Sequence, residues 1–461
     1  MKIYRRILIL ALLAVSVSPL PSPAQQQNYY ILQSPSLAQA QAACQKYGMT
    51  LISTIHDPDT YLVQVSASVD PKSLSDWTDD DPNVKHIEID KKFKQSHQKG
   101  PGAAAPTSSP LATYLTDNNL IAIYGNSAIV AYVQQPAFFS SSTYTAGVKA
   151  GFKGTGIVAV IDTGIDQQNP ILAPVMIPGY DFTRDIPGFA SDLADVDQST
   201  AHILHQSTAH ILHQSTAHIL HQLNNSSAAA FDTTTAAALA NTVLPNDFGH
   251  GTMVAGLIHL VAPSAKIMPL KAFNADGSGD EADIVRAIYF AADNKANVIN
   301  MSFGLPNISD ALMKAINYAN RKGVICIASV GNDAQTALVY PAAFGNVIGV
   351  ASVDSQNQPS LFTNRGSDLV TIAAPGENLV TTFPGDQYAV ASGTSFSAPL
   401  VAGAVSLMFN AANDHVVLQL QEADIVRALK HANVCVTDGS LGAGCMDLSK
   451  AIQFIKSMNM Q

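Results

Sequence analysis

From about residue 129 to the C-terminus, short apolar runs alternate with longer segments of helical spacing. The apolar runs are unbroken and rich in β-branched residues, which is typical of strands covered on both faces of a parallel sheet. Residues 281–294 and 309–322 have the spacing of amphipathic helices, and Gly323 supplies a left-handed end for the second. The predicted strands are 157–161, 267–273, 298–301, 324–328 and 347–351. This pattern predicts an α/β fold, a mostly parallel, doubly wound sheet with helices on both faces.

A second, smaller pattern precedes this one. Strands are predicted at 29–32, 50–55, 61–65 and 86–89, and helices at 36–47 and 71–77. Their β-α-β-β-α-β order is the ferredoxin-like arrangement. We therefore assign residues 25–97 to a small α+β domain and residues 129–461 to the main domain. Residues 98–128 form the predicted linker, because their Gly, Ala, Pro and Ser content between 99 and 110 cannot bury a core.

The first 24 residues have the order of a secretory signal peptide: a basic start, an apolar stretch at 7–17 and small residues at 22–24. The apolar stretch is shorter than the ~20 residues that a bilayer span needs, and we expect no second such run. The alternative is an uncleaved membrane anchor. With the segment removed, we expect a secreted or periplasmic protein without membrane contact.

Charge excludes one class of partner. The formal net charge is −10, from 25 basic and 35 acidic residues, whereas nucleic-acid binding requires a clustered basic surface. Charged residues make up 13% of the chain, below the ~25% of typical soluble proteins. This composition supports export.

Four cysteines follow the signal segment. Cys435 and Cys445 enclose a short Gly-rich loop and form the natural disulfide pair in an oxidising compartment, where closing this loop would add about 2–3 kcal/mol. Cys326 lies in an apolar run and is predicted to be a buried packing residue. Cys44 lies on the separate N-terminal segment, and we expect its thiol to be free.

Residues 198–221 contain three copies of Gln-Ser-Thr-Ala-His-Ile-Leu-His. They predict a repeat-containing loop insertion at about 186–245. The repeat histidines could hold a metal ion if helical spacing brought His202 and His205, or their counterparts, together. The simpler interpretation is a duplicated surface loop without chemistry.

Three segments far apart in the chain carry candidate chemistry. Asp162 ends an apolar strand and precedes Thr-Gly, His250 lies within Gly-His-Gly-Thr, and Ser395 follows Gly-Thr ahead of an apolar helix predicted at 400–409. A serine hydroxyl needs an imidazole to take its proton and an acid to orient the imidazole. Taken singly, the aspartate could be a turn residue and the serine a helix cap.

Taken together, in the order Asp, His, Ser, these segments resemble the subtilisin-like serine proteases. The resemblance implies that Asp162, His250 and Ser395 form a catalytic triad. It also implies that Asn332, within Ala-Ser-Val-Gly-Asn-Asp, donates its amide to the oxyanion. Met253 stands where the family usually has a second histidine, which leaves the catalytic positions intact.

The same resemblance implies two substrate-binding edges, Gly277-Ser278-Gly279 and Ser302-Phe303-Gly304. Glycines there would let a peptide backbone come close, although Phe303 could equally be a core residue. Many relatives carry an Asn-rich calcium loop just before the Val-Ala-Pro at 261–263, and this chain does not. We therefore assign no cofactor and no metal site; calcium stays open as a ligand without an assigned site.

The resemblance implies an exported serine endopeptidase that hydrolyses peptide bonds through a Ser395 acyl-enzyme. Residues 25–97 resemble, in pattern and position, the family's inhibitory propeptide, so we expect a self-inhibited precursor. The expected partners are protein or peptide substrates and the chain's own propeptide, and we expect a monomer. Two alternatives stay open: a peptide ligase or transpeptidase on the same site, and a secreted binding protein that keeps the fold without turnover.

Overall fold

The structure is a computed structural model that describes residues 28–66, 69, 74, 80–94, 119–123, 126–137, 141, 151–196, 211–213, 244–413, 420–431, 435 and 439–458. The predicted signal peptide and most of the predicted helix at 71–77 lie outside the described residues. The octapeptide repeats also lie outside them, apart from residues 211–213.

The N-terminal unit, residues 28–94, contains a four-stranded antiparallel sheet. Its first elements are β1 Asn28–Gln33, α1 Leu37–Tyr47, β2 Thr50–His56, β3 Thr60–Val65, β4 His86–Ile89 and β5 Lys92–Lys94. The sheet order is β2-β3-β1-β4, so the first strand is central. Helix α1 begins after Ser36, whose hydroxyl accepts a hydrogen bond from the Gln39 N–H, and ends at the left-handed Gly48. These strands and this helix lie where the sequence pattern predicts them.

Strand β1 is buried on both faces. Tyr30 and Leu32 belong to the core that the sheet shares with α1, whereas Ile31 belongs to a core of the main unit. Ile55 of β2 joins that same second core. The N-terminal sheet therefore packs between its own helix and the rest of the molecule.

The main unit begins with a short hairpin at residue 120 and extends to residue 458. Its strands, with those of the hairpin, are β6 Leu120–Ile123, β7 Asn126–Ile129, β8 Ile157–Asp162, β9 Tyr180–Asp181, β10 Ile186–Pro187, β11 Ile211–His213, β12 Lys266–Lys271, β13 Ser278–Asp280, β14 Val298–Met301, β15 Ile325–Ser329, β16 Ile348–Val353, β17 Ile372–Pro375, β18 Leu379–Phe383 and β19 Gln387–Ala391. Its helices are α2 Val130–Val133, α3 His250–Val261, α4 Glu281–Asp293, α5 Asp310–Arg321, α6 Thr394–Asn413, α7 Glu422–His431 and α8 Leu448–Met458.

The central sheet has the order β10-β9-β12-β8-β14-β15-β16-β17. All neighbours from β9 to β17 run parallel, and only the edge strand β10 is antiparallel. The chain leaves β8 to β12 on one side and returns to β14 on the other. This arrangement places the carboxyl ends of β8 and β14 side by side, where ligands bind in open α/β sheets.

Helices cover both faces of this sheet. Val158 and Val160 of β8 point into a core that includes residues of α3, α6, α7 and α8, whereas Ala159 and Ile161 point into the core that includes residues of α4 and α5. Alternate residues of one strand thus enter different cores, as the continuous apolar run requires. The predicted α/β, mostly parallel, doubly wound fold is confirmed.

Helix α6 is long and apolar enough to cross a membrane, and 89% of its most apolar window is buried inside the molecule. It is therefore the central core helix of the main unit. It begins at Thr394, six positions before the predicted start, and it includes Pro399.

Two predicted boundaries differ from the structure. Within the predicted linker, β6 pairs with β7 in an antiparallel hairpin that leads directly into α2. Within the predicted insertion, residues 186–196 belong to the fold, since β10 pairs with β9 and Asp192 is completely buried. The described residues continue to 196, and strand β11 pairs in parallel with β19.

Candidate active site

Asp162 and His250 are joined by a short, buried contact. Asp162 ends β8, His250 begins α3, and His250 Nδ1 lies 2.7 Å from Asp162 Oδ1. The Thr163 N–H donates to the same carboxylate oxygen at 2.7 Å. A side chain at Gly251 would collide with the Gly164 carbonyl, since a Cβ there would lie 2.0 Å from that oxygen. The Gly-His-Gly sequence therefore lets the helix start come close to the strand end.

The environment of His250 favours its charged form. Burial alone would lower the pKa of His250, but the charge of Asp162 and the hydrogen bond to it outweigh burial, so the pKa is raised above its ordinary value. A histidine in this setting can accept a proton and remain next to a carboxylate that stabilises the imidazolium.

Ser395 lies in the first turn of α6, and its position is tied to the end of β14. Ser395 Oγ donates to the Ser302 carbonyl at 3.1 Å, and Ser302 Oγ donates to the Ser395 carbonyl at 2.8 Å. The second contact depends on Pro399, which has no N–H to bond the carbonyl four residues earlier in the helix. The proline thus frees the Ser395 carbonyl for Ser302.

Two contacts place Ser395 among the other candidates. The ring of its neighbour Phe396 lies 5.4 Å from the His250 ring, centroid to centroid. Asn332, just after β15, accepts hydrogen bonds at its Oδ1 from the N–H and the hydroxyl of Thr394, both at 2.9 Å. Because Oδ1 is engaged there, the amide Nδ2 is the group of Asn332 that can donate to a ligand.

A pocket of about 280 Å³ opens beside Ser395. Its lining is Ser302, Phe303, Gly304, Leu305, Pro306, Ser329, Gly331, Asn332, Asp333, Gln335, Val339, Thr394 and Ser395. Val339 lies between two wall glycines, with its side chain 2.4 Å from where a Gly304 Cβ would stand and 3.7 Å from a Gly331 Cβ. The Val339 side chain is thus a lining residue that fills the space next to Gly304.

Phe303 combines both roles considered from the sequence. Its side chain is buried, its ring lies 5.0 Å from that of Phe273, and it also lines the pocket. Ser302 and Gly304 line the same pocket. The other predicted edge, at residues 277–279, does not line this pocket. Its strand β13 is paired, with Ser278, Gly279 and Asp280 facing Lys94, Phe93 and Lys92 of β5.

Sequence reasoning missed a second buried carboxyl behind the candidate triad. Asp192 Oδ1 accepts from the Thr163 hydroxyl at 2.7 Å, and its Oδ2 accepts from the Thr252 hydroxyl. Burial raises the pKa of Asp192 to about 7. Thr163 directly follows Asp162, and Thr252 lies two positions after His250, so the hydrogen bonds of Asp192 fix the chain beside both candidate residues. Asp192 belongs to no recognisable motif, and the sequence placed it in the predicted insertion.

Lys271 is a further buried group that was not predicted. Its ammonium donates to the carbonyls of Thr163 and Phe273 and to Asp195, all within 2.6–2.7 Å. These three acceptors satisfy the ammonium fully, so the charge is held without water. Lys271 thus fastens the end of β12 to the turn after Asp162.

Cys435 and Cys445 are joined as a disulfide, and Cys44 and Cys326 are free and buried. Among the described residues, no group of three or more His, Cys, Asp or Glu side chains is arranged to hold a metal ion. The repeat histidines considered as ligands, His202 and His205, lie outside those residues.

Three kinds of comparison agree on the relationship of this chain. The family model described as the subtilase family, Peptidase S8, matches residues 154–444. The thermophilic serine proteinase of Bacillus sp. (strain AK1) is 31% identical over 68% of this chain and 67% of its own length. Subtilisin BL of Lederbergia lenta is 38% identical over 35% of this chain and 62% of its own length.

Two solved structures share the fold. Fervidolysin of Fervidobacterium pennivorans, a keratinolytic enzyme related to subtilisin, matches 93% of this chain and 61% of its own with a TM-score of 0.65 at 19% identity. The epidermin leader peptide processing serine protease of Staphylococcus aureus matches 92% of this chain and 99% of its own, with a TM-score of 0.60 at 18% identity. At this coverage, both matches extend into the N-terminal unit as well as over the main unit.

The matched family range contains Asp162, His250, Asn332 and Ser395, and the alignment to the Bacillus proteinase covers two thirds of both chains. The chain belongs to the subtilase family and is a subtilisin-like serine endopeptidase.

Proposed function

We propose that this protein is an exported endopeptidase that cleaves peptide bonds through an acyl-enzyme on Ser395. In this mechanism the Ser395 hydroxyl attacks the scissile carbonyl while His250 takes its proton, and Asp162 orients and stabilises the imidazolium. The Asn332 amide and the N-terminal end of α6 then meet the oxyanion. His250 returns the proton to the leaving amine, and water releases the acyl group.

One observation carries this proposal: His250 makes a buried 2.7 Å contact with Asp162, and its ring lies 5.4 Å from the ring of Phe396, the neighbour of Ser395, which lines a pocket together with Asn332. A binding protein that only kept the fold would have no need to bury a paired carboxylate and imidazole there, because buried charges are costly unless they are used or fully paired.

We propose further that the N-terminal unit inhibits the enzyme until it is removed. In support, β5 adds an antiparallel strand to β13 at the predicted substrate edge, as an extended peptide would. Two carboxylates of this unit also reach helix starts of the main unit: Asp90 accepts from Ala282 N–H at 2.9 Å, and Glu88 from Ala311 N–H at 2.6 Å. Acidic groups at helix N-termini are favourable.

Export rests on the signal-like first 24 residues, with support from the Cys435–Cys445 pair, since disulfides persist mainly in oxidising compartments. Intact mass and N-terminal sequencing of protein recovered outside the cell would test both export and maturation. Recovery only from the cytoplasm, with residues 1–24 intact, would contradict the proposal.

The catalytic role is tested with a fluorophosphonate probe on wild type and on Ser395→Ala. We expect the wild type to be labelled at Ser395, to hydrolyse casein and to lose its N-terminal unit. The Ser395→Ala variant should stay unlabelled and full-length, with kcat reduced by about 10⁶-fold. Absence of labelling at Ser395 in the processed protein would favour the binding protein, and labelling with transfer to added amines in excess of hydrolysis would favour the ligase.

A further inference from the structure

A carboxyl group behind the candidate triad receives two hydroxyl groups from two different elements. Asp192 begins a short 3-10 helix, Asp192–Asp195, and its side chain is completely buried. Its Oδ1 accepts from the Thr163 hydroxyl at 2.7 Å. Its Oδ2 accepts from the Thr252 hydroxyl and, at 3.3 Å, from the Thr252 N–H. Because Thr163 follows the end of β8 and Thr252 lies in the first turn of α3, one carboxyl group contacts both segments that carry the candidate acid and base.

Each of these hydroxyl groups also accepts a backbone N–H from the opposite segment. Thr163 Oγ accepts from the Gly251 N–H at 3.1 Å, and Thr252 Oγ accepts from the Asp166 N–H at 2.8 Å. An ionised carboxylate only accepts hydrogen bonds, so it takes the protons of both hydroxyl groups and leaves their lone pairs for the two N–H groups. The turn after β8 and the start of α3 are thus joined by two hydrogen bonds whose direction the carboxylate fixes.

One of these two bonds joins the residues that directly follow the candidate acid and base. Thr163 follows Asp162, and Gly251 follows His250. The bond between the two followers therefore limits how far the 2.7 Å contact between His250 Nδ1 and Asp162 Oδ1 can lengthen. Alignment of this kind affects rate strongly, since a displacement of about 1 Å can cost about a hundredfold.

Keeping the Asp192 carboxyl ionised costs stability. Burial raises its pKa to about 7, although the hydroxyl groups of Thr252 and Thr163 and the charge of Lys271 lower it in part. Because the pKa is higher in the folded than in the unfolded chain, ionisation reduces the free energy of unfolding as pH rises from about 4 to about 7. A carboxyl group that only stabilised the fold would gain nothing from this charge. The charged and titratable groups around it are Asp162, Asp166, His250, Lys271 and, on its own turn, Asp195.

We propose that Asp192 is a positioning residue for hydrolysis, which as a carboxylate holds the turn after Asp162 against the start of α3 and so keeps His250 aligned with Asp162. The inference rests on the proposed function, because it concerns the triad of the same enzyme. Asp192 acts through the hydroxyl groups of Thr163 and Thr252. When it is protonated, one of its oxygens becomes a donor, so one hydroxyl group loses its acceptor and the bond that this hydroxyl group directs is weakened.

The test compares the processed wild type with Asp192→Asn at about pH 8, where the wild-type carboxyl is ionised. Asparagine keeps the shape, but its amide nitrogen donates, so one threonine hydroxyl loses its acceptor. We expect kcat to fall by about tenfold to a hundredfold while KM stays within about twofold. Rates are expressed per site titrated with the fluorophosphonate probe, and circular dichroism checks that the variant is folded.

The acid side of the pH profile of kcat/KM gives a readout that a merely structural carboxyl would not change. In the wild type, both His250 and Asp192 must lose a proton to reach the active form, so the logarithm of kcat/KM should rise with a slope approaching two below about pH 6. In Asp192→Asn only His250 titrates there, and the slope should be about one. The matched control is Asp195→Asn, on the same 3-10 helix, whose carboxylate binds Lys271 and neither threonine. It should keep the wild-type slope.

Variants of Thr252 test the route. Thr252→Val removes the hydroxyl group at nearly constant shape and should lower kcat by about tenfold, whereas Thr252→Ser keeps the hydroxyl group and should stay within about threefold of wild type. Adding Asp192→Asn to Thr252→Val should lower kcat by less than about threefold more, because both changes remove the same link.

The outcomes separate two failures. If the wild type neither hydrolyses casein nor takes fluorophosphonate at Ser395, the proposed function itself is overturned. If the wild type is active and folded Asp192→Asn keeps kcat within about twofold, or loses kcat with the slope unchanged, the endopeptidase stands and the positioning role is overturned. If Asp192→Asn does not fold, equal kcat values for Thr252→Val and Thr252→Ser overturn that role.

Discussion

The candidate active site and the contact between the two units both bury charge, but they hold it differently. At the site, the Asp162 carboxylate and the Lys271 ammonium meet their partners within 2.7 Å, several partners each. At the contact, the buried Glu281 is 3.7 Å from its lysine, and Asp90 accepts one helix N–H. Short, multiple hydrogen bonds fix a geometry, whereas longer ion pairs can be released by a change in charge.

The largest effect on activity is expected at the short contact between Asp162 and His250. Replacing Asp162→Asn keeps the shape but removes the charge that supports the His250 imidazolium, so kcat should fall by about 10⁴-fold with little change in KM. Steady-state kinetics on a peptide ester or amide would measure it. A loss below about tenfold would mean that the 2.7 Å contact is structural. Asp185→Asn, which removes an exposed carboxylate elsewhere, is the control.

A change of pH should act on the contact between the units. Burial raises the pKa of Asp90 to about 6, and the pKa values of Glu281 and Asp283 to about 7. Raised carboxyl pKa values mean that the contact is strongest when these groups are protonated and weakens as pH rises through 6–7. The negative charges of Glu88 and Asp280 raise these carboxyl pKa values further. The positive charges of Lys91, Lys92 and Arg286 lower them in part. Burial lowers the pKa of His56, whose contribution runs the other way and is lost as pH falls.

The measurement is amide hydrogen exchange at β13 in full-length Ser395→Ala, which cannot process itself under the proposed mechanism. We expect the opening constant of the β5–β13 pairing to rise by about tenfold to a hundredfold between about pH 5 and about pH 8, after correction for intrinsic exchange. Glu281→Gln should flatten this profile. A constant that falls with pH would show that His56 dominates the contact.

The smallest effect is expected at a single helix start. Glu88→Gln keeps a hydrogen bond to the Ala311 N–H but removes the charge next to the start of α5, so the opening constant should rise by about threefold to fivefold. The same exchange experiment measures it. Glu422→Gln, at the start of α7 and away from the contact, serves as the matched variant. Equal effects of both changes would mean that a general loss of charge, rather than this contact, is responsible.

The sequence predicted the features that local signals specify and missed those that depend on contacts between distant segments. The strands of the central sheet and the helices α4 and α5 were predictable, because periodicity and capping residues such as Ser309 and Gly323 are local signals. The candidate triad was predictable from three short motifs, each of which is also a local signal. The start of α6 was misplaced because Pro399 is usually a boundary, whereas here the carbonyl it frees is bonded by Ser302.

The remaining features depend on contacts between distant segments. The pairing of β5 with β13 joins residues almost two hundred positions apart, and nothing in either segment alone specifies the partner. Asp192 and Val339 likewise take their positions from contacts with distant segments, Asp192 with Thr163 and Val339 with Gly304. No rule of sequence spacing could have found them.

The apolar face of the N-terminal sheet has a consequence for the fate of that unit. Ile31 and Ile55 complete a core that belongs to the larger unit. A detached N-terminal fragment would leave both side chains in water, losing a substantial part of the hydrophobic free energy that keeps its sheet folded. Such a fragment would loosen and become open to proteolysis, so under the proposed inhibition its removal would be irreversible.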